Sequence, residues 1–509
     1  MTKLNLEFLV GTVLAVQVAM AQCPSYSIYS QMPHDPPSTG PLGLPYMRPA
    51  PACRTFNSTA VEKVINDMNS LIKDPDIARL FENTFPNTLD TTVKYFSETE
   101  NLAFIITGRI SAQWLRDTAN QQFAHYHSLL SVDPKLATLV KAVINNEARY
   151  VAQYPYCGAF QPPPESGLPP THNDWADGVT VNPPVNNNTV FECKFEIDSL
   201  CGFLKLSRSY YAATKDASFL NDNWRAAIDQ IFRVINEQSQ PTFDENFNFI
   251  SYYNWTGGNG ALSPMVNNMG NGEPKGYTGL VGTHHRPSDD LSVFAFLTPA
   301  NAMLSVELNY LANVLDDVRQ LHNVSQQARE WSKRIHDAIW NTTVVDNIFA
   351  YETNGLGSRY VMDDANVPSL LSLPYLGFLE KSNPTYRETR KLLLSRRNPY
   401  YAAGKNFNGI GGPHIDVLHP WPMSHISAIF GTDSDDDILT SLYLIAKNTH
   451  GLGLIHESQS IAESTYTRSW FAWANSYFAE MILDLAQRKP GLILSSNESY
   501  VVGQHHSQI

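Results

Sequence analysis

The chain has 509 residues, of which 43% are hydrophobic and 11% aromatic, so it can bury a large core and is not compositionally disordered. Its formal net charge of −13 argues against nucleic-acid binding, which usually needs a basic face.

The N-terminus has the pattern of a secretory signal peptide. Lys3 precedes an apolar stretch at 8–20, and the small residues of Ala19-Met20-Ala21 match a cleavage site after Ala21. We therefore predict a signal peptide at 1–21, a secreted or secretory-pathway protein, and no membrane insertion after cleavage. Six N-x-S/T sequons then predict glycosylation at Asn57, Asn187, Asn254, Asn323, Asn341 and Asn497.

Five cysteines leave an odd one after pairing. A bond between Cys23 and Cys53 would fasten the Pro-rich N-terminal arm, residues 22–55. Cys193 and Cys201 lie eight residues apart on a predicted helix, too far apart to bridge directly. Because there is no CxxC pair, a thiolate zinc site is disfavoured.

Apolar periodicity predicts a mostly helical chain. Amphipathic helices are expected at 61–72, 134–153, 216–237, 303–321, 326–340 and 435–448. The helices at 192–206 and 469–486 are apolar almost all round and should be buried, which suggests two layers. Long loops at 156–188, 254–288 and 398–425 indicate functional segments. One domain at 56–490 with a C-terminal tail at 491–509 is the simplest organisation.

Carboxylates beside Trp, His and Arg are the chemically informative residues. They lie in QWLRDTANQ (113–121), FEIDSL (195–200), HHRPSDD (284–290), VMDDANVPSLLSLPY (361–375) and GLIHESQS (453–460). Aromatic faces stack on sugar rings, and Asp, Arg and His bind hydroxyl groups. Glycosidic cleavage needs one protonated and one ionised carboxyl. The sequence has no G-x-S-x-G, P-loop or H-E-x-x-H motif.

Each segment also has a purely structural interpretation. Ser288 or Asp289 would cap a helix that starts near 290. Arg116 and Asp117 would form a surface ion pair. The acids at 363 and 364 would cap another helix, and Glu457 would be a solvated loop side chain. The adjacent histidines at 284 and 285 lack a spaced third ligand, so we expect no metal there.

Taken together, the segments carry a family resemblance. WLRD, EIDSLC, RPSDD, DDANVPSLLSLPYLG, GIGGPH, WP, HES and TRSWFAWANSYF follow in this order. From about Val61 to about Leu485 the sequence resembles glycoside hydrolase family 125, the exo-α-1,6-mannosidases. The resemblance implies an all-α (α/α)6 barrel with long loops on the active-site face. It also implies cofactor-free, metal-independent hydrolysis with inversion, acting on α-mannoside oligosaccharides or mannosylated glycoproteins.

The resemblance also implies residue roles. The general acid is Asp289 or Asp290, with Asp290 preferred because a cap or a sugar hydroxyl would occupy Asp289. The general base is Glu457, which His456 or Arg468 would keep ionised. The expected substrate-binding residues are Trp114, Arg116, Asp117, His285, Arg286, Asp363, Asp364, His414 and His456.

Other features leave alternatives open. Trp421 and Trp470 are either stacking platforms or core residues. Gln459 replaces an aromatic residue that usually follows H-E-S, which affects the substrate rim. A non-catalytic sugar-binding protein is one alternative function. Another helical-barrel glycosidase is the second, either a calcium-dependent α-1,2-mannosidase or a glucoamylase-like enzyme.

Overall fold

A computed structural model describes residues 23–257 and 267–503. The predicted signal peptide lies outside the described residues. The described chain is mostly helical. The longer helices of the described chain are α1 Thr59–Leu71, α2 Pro75–Thr84, α3 Pro134–Gln153, α4 Ile197–Thr214, α5 Asp222–Gln238, α6 Thr298–Asp317, α7 His322–Thr342, α8 Pro384–Leu393, α9 Pro422–Phe430, α10 Asp435–Lys447 and α11 Ala472–Arg488. Short helical turns include Tyr26–Tyr29, Pro51–Cys53, Asn87–Thr91, Leu115–Asp117, Thr118–Gln122, Ala124–Leu129, Pro164–Ser166, Asp174–Ala176 and Pro490–Ile493.

Short antiparallel strands qualify the all-α prediction, and they lie in or beside the connecting loops. The two-stranded pairs are Val93–Ser97 with Leu102–Ile105, Thr180–Asn182 with Asn254–Thr256, Val344–Val345 with Ile348–Phe349, Tyr401–Ala403 with Asn408–Ile410, and Ser458–Gln459 with Tyr466–Thr467. Two three-stranded sheets combine Gln113–Trp114, Ala159–Phe160 and Val190–Glu192, and Phe296–Leu297, Glu352–Thr353 and Arg359–Tyr360. The predicted loop at 156–188 therefore carries strands of its own.

Side-chain caps fix where several helices begin. Ser58 accepts a hydrogen bond from the backbone N–H of Val61, and Asp133 accepts one from Leu136. Asn221 caps α5 through the N–H of Trp224, so this helix begins six residues later than the periodicity predicts. Helix α6 begins earlier than predicted, at Thr298, because Pro299 suits the first turn of a helix.

The helices pack in two layers, as the apolar patterns predict. Helices α4, α6, α9 and α11 have few exposed residues, and α4 packs on α6 while α9 packs on α11. Helices α7 and α10 cover α6 and α9, and α3 packs on α5. Burying the apolar surface of the inner helices is the main stabilising contribution to this arrangement.

The cysteines form two disulfides, Cys23–Cys53 and Cys157–Cys193. The first confirms the predicted bond in the N-terminal arm. The placement of Cys193 on a helix is wrong, because α4 begins only at Ile197 and Cys193 lies in the preceding extended segment. Cys201 is free and buried, as the odd count requires. Two disulfides are typical of proteins that fold in an oxidising compartment.

Both ends of the described chain pack against the helical body. In the N-terminal arm, Tyr26 packs edge-on against Trp470, with ring centroids 5.0 Å apart, and Ser30 Oγ lies 2.8 Å from Ser469 Oγ. Met47 packs with Leu452 and Leu454. In the C-terminal segment, residues 493, 494 and 500 are buried. Within the described residues, no helix combines the length and apolarity needed to cross a membrane.

Candidate active site

The loops at one end of the inner helices surround a pocket that contains acidic, basic and aromatic side chains. Its lining residues are Thr107, Ile110, Trp114, Arg116, Asp117, Pro287, Ser288, Asp289, Asn366, His414, Trp421, Glu457, Arg468, Phe471 and Trp473.

The indole groups of the pocket have unused donors. Trp421 Nε1 and Trp473 Nε1 are buried, and neither donates to an acceptor within residues 23–257 and 267–503. A buried N–H group without a partner is costly, so each indole is suited to donate to a bound hydroxyl group.

Arg116 is the central cation of one wall of the pocket. The short strand Gln113–Trp114 and the turn that follows it direct its guanidinium inward, where it lies over the Trp473 ring at 5.1 Å. The guanidinium contacts four carboxylates. They are Asp117 at 3.3 Å, Asp198 at 3.9 Å, Asp289 at 3.3 Å and Glu196, which accepts a hydrogen bond from Nη1.

The RPSDD segment forms a tight turn, so the predicted helix near 290 is wrong. The N–H of Arg286 donates to the carbonyl of Asp290 at 2.7 Å, and the N–H of Asp289 donates to the carbonyl of Arg286 at 2.9 Å. Asp289 has a left-handed φ of +66°, which few non-glycine residues adopt. Its carboxylate is thereby part of the pocket lining.

Asp290 occupies a different environment from Asp289. Its side chain is 8% exposed, against 18% for Asp289, and it is absent from the pocket lining. Ser288 Oγ donates to Asp290 Oδ2 at 2.7 Å, and His414 Nδ1 lies 3.6 Å from Oδ1. The carboxylate of Asp290 is therefore bound by Ser288 and lies beside His414, whereas the carboxylate of Asp289 lines the pocket.

Glu457 also lines the pocket, and its one ion pair within the described residues is with Arg468. Arg468 Nη1 donates to Glu457 Oε1 at 2.9 Å, while Oε2 accepts no hydrogen bond from the described part of the chain. The hairpin of Ser458–Gln459 with Tyr466–Thr467 brings Glu457 and Arg468 together. The predicted role of Arg468 as the partner of Glu457 fits this geometry.

His456 holds the backbone of this loop. Its Nδ1 lies 3.0 Å from the carbonyl of Arg468 and its Nε2 lies 3.1 Å from the carbonyl of Thr449. Burial lowers the pKa of His456 to about 4, so the neutral ring donates to only one of them. His456 therefore contacts backbone rather than the pocket.

The acids around Arg116 differ in protonation. Burial raises the pKa of Asp117 and of Asp198 to about 7, against the attraction of Arg116. Burial also raises the pKa of Glu196 well above its usual range. Burial opposes ionisation of Asp289 as well, but Arg116 and Lys194 outweigh it and hold the pKa of Asp289 well below its usual range.

The histidine of the pocket is biased toward its charged form. Burial lowers the pKa of His414, but the carboxylate of Asp290, 3.6 Å away, and other nearby carboxylates outweigh burial and raise it. His414 therefore adds to the positive charge that Arg116 and Arg468 bring to the pocket.

Known proteins share this sequence and fold. The family model described as "Metal-independent alpha-mannosidase (GH125)" matches residues 74–483, well over half of the chain. The chain belongs to the GH125 family. The meiotically up-regulated gene 157 protein of Schizosaccharomyces pombe is 44% identical over 502 residues, which cover 96% of this chain and 98% of that protein.

A GH125 structure also resembles this one. It is a metal-independent α-mannosidase of Streptococcus pneumoniae in a non-productive substrate complex with α-1,6-mannobiose. The two chains are 27% identical, with a TM-score of 0.77, and the match covers 84% of this chain and 99% of the other. This GH125 member is therefore a mostly helical protein of the α-mannosidase fold.

The pocket brings together only some of the residues proposed to bind substrate. Trp114, Arg116, Asp117 and His414 line it, and His285, Arg286, Asp363, Asp364 and His456 do not. Arg286 is buried in an ion pair with Glu352 at 2.6 Å, and His285 packs edge-on against Trp255. These two side chains support the turn from behind.

The two acids at 363 and 364 also lie behind the pocket of this GH125 protein. The carboxylate of Asp363 accepts hydrogen bonds from the N–H groups of Leu370 and Leu371, which is a capping role close to the structural interpretation of the sequence. Asp364 accepts both N–H groups of Asn366, the backbone one at 3.0 Å and the side-chain one at 2.8 Å. Asn366, rather than Asp364, reaches the pocket lining.

Sequence reasoning missed several lining residues. Trp473 and Phe471 belong to the buried segment before and within α11, where apolar residues all round suggest only a core role. Trp421 lines the pocket, whereas Trp470 is a core residue that donates to Asn87 Oδ1 at 3.2 Å. Glu196 lies in the FEIDSL segment, whose carboxylates were noted without a role.

The sequons are accessible in this GH125 chain. Asn57, Asn187, Asn323, Asn341 and Asn497 are exposed and Asn254 is half-buried. His172, Asp174 and Asp177 form an exposed group whose possible ligand atoms lie within 4.8 Å of one another. Unlike the acids of the pocket, all three residues are exposed. Exposed acidic groups of this kind are common without an ion.

Proposed function

We propose that this protein is an inverting, exo-acting α-mannosidase that removes non-reducing-end α-1,6-linked mannose by a two-carboxylate mechanism without a metal. The observation that carries the proposal is one pocket with two carboxylates in unequal environments, Asp289 and Glu457. Glycoside hydrolysis requires such a pair, one group delivering a proton and the other accepting one.

Asp289 is the proposed general acid, in place of the Asp290 that the sequence favoured. Asp289 lines the pocket and is more exposed, while Asp290 is engaged by Ser288 and faces His414. An acid must touch the glycosidic oxygen to protonate it, so the residue on the pocket surface fits the role better.

Glu457 is the proposed general base. Arg468 Nη1 donates to its Oε1 at 2.9 Å, and Oε2 accepts from no donor of the described chain and can face a water. In the reaction Glu457 takes a proton from a water that adds to the anomeric carbon, while Asp289 protonates the leaving oxygen. Inversion requires the two carboxyl groups to stand about 6.5–9.5 Å apart, leaving room for that water.

The pocket composition supports a sugar substrate. Trp114, Trp421, Phe471 and Trp473 provide apolar faces, and Trp421 and Trp473 have N–H donors without a partner in the described chain. The α-1,6 linkage is proposed from the S. pneumoniae relative, which was seen with α-1,6-mannobiose.

We also propose an (α/α)6 barrel over residues 56–490. Helices α4, α6, α9 and α11 would form the inner ring with the irregular segments 115–129 and 368–378. Support comes from α11 and α4, which both contact 118–122, and from Tyr375, which packs on Phe430 of α9 and Tyr477 of α11 at 4.9 and 5.1 Å.

Secretion and glycosylation remain proposals of the same kind. The signal peptide at 1–21 would direct the chain into the secretory pathway, and the exposed sequons would then be modified. N-terminal sequencing of the natural protein should begin at Gln22, and its mass should fall on endoglycosidase treatment. An N-terminus at Met1 or an unchanged mass would contradict this proposal.

Mannose release from α-1,6-mannobiose tests the proposed activity. The purified protein should release mannose equally with and without EDTA, and proton NMR should detect β-mannose first. Release from α-1,2- and α-1,3-mannobiose should be slower. Loss of activity in EDTA would point to a metal-dependent glycosidase, and inertness on every mannobiose would point to a sugar-binding protein.

Neighbouring variants separate the two candidate acids. Asp289→Asn should lower kcat on α-1,6-mannobiose by about 10²–10⁴-fold, the usual contribution of a general acid. Asp290→Asn is the matched control, because it makes the same change one residue away, and its loss should be clearly smaller. The reverse order would return the acid role to Asp290.

A further inference from the structure

We propose that Glu196 is a positioning residue that stores the proton which Asp289 delivers to the glycosidic oxygen. This inference rests on the proposed function and assigns a role to a buried glutamate that does not line the pocket. Arg116 joins the two groups, because Nη1 binds Glu196 and Nη2 binds Asp289 at 3.3 Å.

The first step is a count of charge. Asp117, Glu196, Asp198 and Asp289 surround one guanidinium, and each of the first three is almost fully buried. If all four were ionised, four negative charges would contact one guanidinium, and the nearby Lys194 is already paired with Glu192 at 2.6 Å. Burial of unpaired charge is costly, so the cluster retains protons near neutral pH.

The second step is the placement of two carboxyl groups. One guanidinium holds the carboxyl groups of Glu196 and Asp289 next to each other, since Nη1 of Arg116 binds Glu196 and Nη2 binds Asp289 at 3.3 Å. Two neighbouring carboxyl groups can hydrogen-bond to each other only when one of them carries a proton. Consistently, no N–H or hydroxyl group of the described chain donates to Glu196 Oε1.

The third step decides which group holds the proton in the free enzyme. Asp289 receives the fields of Arg116, Lys194 and His414, which favour its ionised form. Glu196 is only 1% exposed, and burial dominates its environment. The proton therefore resides on Glu196, which donates to Asp289.

This arrangement resolves a difficulty in the proposed mechanism. A general acid must be protonated when the leaving oxygen arrives, yet Asp289 lies between two cations. A store one hydrogen bond away supplies the proton without requiring Asp289 to hold it beforehand. Ser199 Oγ donates to Glu196 Oε2 at 3.3 Å, while Oε1 accepts no hydrogen bond from the described chain.

Three proton transfers accompany cleavage of the glycosidic bond. The proton of Glu196 passes to Asp289, and Asp289 gives a proton to the glycosidic oxygen as the bond to the anomeric carbon breaks. The electron pair of that bond stays on the leaving oxygen. Water adds to the anomeric carbon and its proton passes to Glu457. Glu196 is left ionised and Glu457 protonated, and proton exchange with solvent restores both.

Leaving-group dependence provides the sharpest test. We would measure Glu196→Gln on α-1,6-mannobiose, whose leaving group needs protonation, and on 2,4-dinitrophenyl α-mannoside, whose leaving group does not. On the disaccharide at pH 7, kcat should fall by about 10²-fold, within the range of acid catalysis, with KM little changed. On the aryl mannoside, kcat should stay near the wild-type value.

The pH profile supplies a second readout. In Glu196→Gln the alkaline limb of kcat on α-1,6-mannobiose should move to lower pH by a unit or more, because Asp289 alone loses its proton more readily. Glu147→Gln is the matched control. Glu147 is also a fully buried acid, hydrogen-bonded to Gln113 at 3.1 Å and outside the pocket, so this variant should keep the wild-type limb.

Several outcomes would overturn the proposal. A wild-type alkaline limb in Glu196→Gln would do so, and so would equal losses on both substrates, which indicate a structural role. If Glu196→Gln does not fold, Glu196→Asp decides the question, because its shorter acid should shift the limb in the same direction. An unshifted limb in folded Glu196→Asp would reject the proposal.

Asp289→Asn separates this inference from the proposed function. If Asp289 is the acid, Asp289→Asn should also lose kcat on the disaccharide and keep it on the aryl mannoside. If that variant shows no leaving-group dependence, the proposed function is at fault. If it does and Glu196→Gln resembles the wild type, only the role of Glu196 is wrong.

Discussion

The two walls of the pocket balance charge in opposite ways. On one wall a single guanidinium, that of Arg116, contacts four carboxylates. On the other wall Arg468 and Glu457 form an ion pair at 2.9 Å, the one ion pair that either group makes within the described residues. We call these the crowded wall and the paired wall. The crowded wall retains protons, because its carboxylates outnumber the guanidinium that they contact. The number of carboxylates per arginine would therefore separate the proposed proton donor from the proposed proton acceptor.

The largest effect should come from removing the base on the paired wall. Glu457→Gln should lower kcat by about 10³-fold or more, near the upper range of general-base catalysis. Unlike Asp289→Asn, it should lose activity on both α-1,6-mannobiose and 2,4-dinitrophenyl α-mannoside, because water must be activated for either. Equal activity of Glu457→Gln and wild type on the aryl mannoside would remove Glu457 from the base role.

Removing the cation of the crowded wall should affect stability as well as activity. Arg116→Met leaves buried carboxylates without their shared partner, which typically costs about 3–5 kcal/mol. The cost should grow between pH 5 and pH 8, because the unfolded acids release protons that the folded cluster retains. Urea unfolding at the two pH values measures this.

Arg48→Met is the matched control for this pH dependence. Arg48 is also buried, but it pairs with only two acids, Asp90 and the partly exposed Glu62. The loss of unfolding free energy caused by Arg48→Met should therefore increase less between pH 5 and pH 8 than the loss caused by Arg116→Met. A slope equal to that of Arg116→Met would mean that the number of carboxylates is not the controlling factor.

A smaller effect is expected from the partner of the base. Arg468→Gln should lower kcat by about 10–100-fold, the equivalent of the ~1.5–3 kcal/mol of a charged hydrogen bond. The acidic limb of the pH profile should move to higher pH, since the carboxylate loses its cation. Arg468→Lys retains the charge and should shift this limb less. If both variants behave alike, geometry rather than charge explains the role of Arg468.

The smallest effect concerns a carboxylate of the crowded wall that does not line the pocket. Burial raises the pKa of Asp198 to about 7, so the stability it contributes falls as pH rises through 7. Asp198→Asn avoids ionisation and should raise the free energy of unfolding at pH 8 by about 1–4 kcal/mol, at ~1.4 kcal/mol per pKa unit.

The same measurement at low pH provides the control for Asp198. At pH 4.5 the native aspartic acid is already neutral in the folded chain, so the variant should gain much less there. A gain that is equal at both pH values would show that the amide packs better, and that charge is not the cause.

Local patterns in the sequence were sufficient for much of the fold. Helical periodicity and caps such as Ser58 and Asp133 depend on neighbouring residues, which a sequence displays directly. The layering followed from the nearly uncharged surface of α11. The family motifs likewise indicate a carboxylate pair from the sequence alone.

The remainder depends on residues that are far apart in the chain. Serine and aspartate ahead of an apolar run look the same in a cap and in the turn at 286–290. The turn forms because Arg286 pairs with Glu352, 66 residues away, which also accepts the N–H groups of Val293 and Phe294. In the same way, no local pattern shows that Glu196 and Asp289 share one arginine.

The contacts of the N-terminal arm affect the order in which the protein can fold during translation. Ser30 is translated 439 residues before Ser469, its hydrogen-bond partner. Tyr26 is likewise translated long before Trp470, against which its ring packs. The loop that carries Arg468 is therefore completed only when translation is nearly over. The growing chain therefore lacks the Glu457–Arg468 ion pair of the pocket until about nine-tenths of its residues have been made.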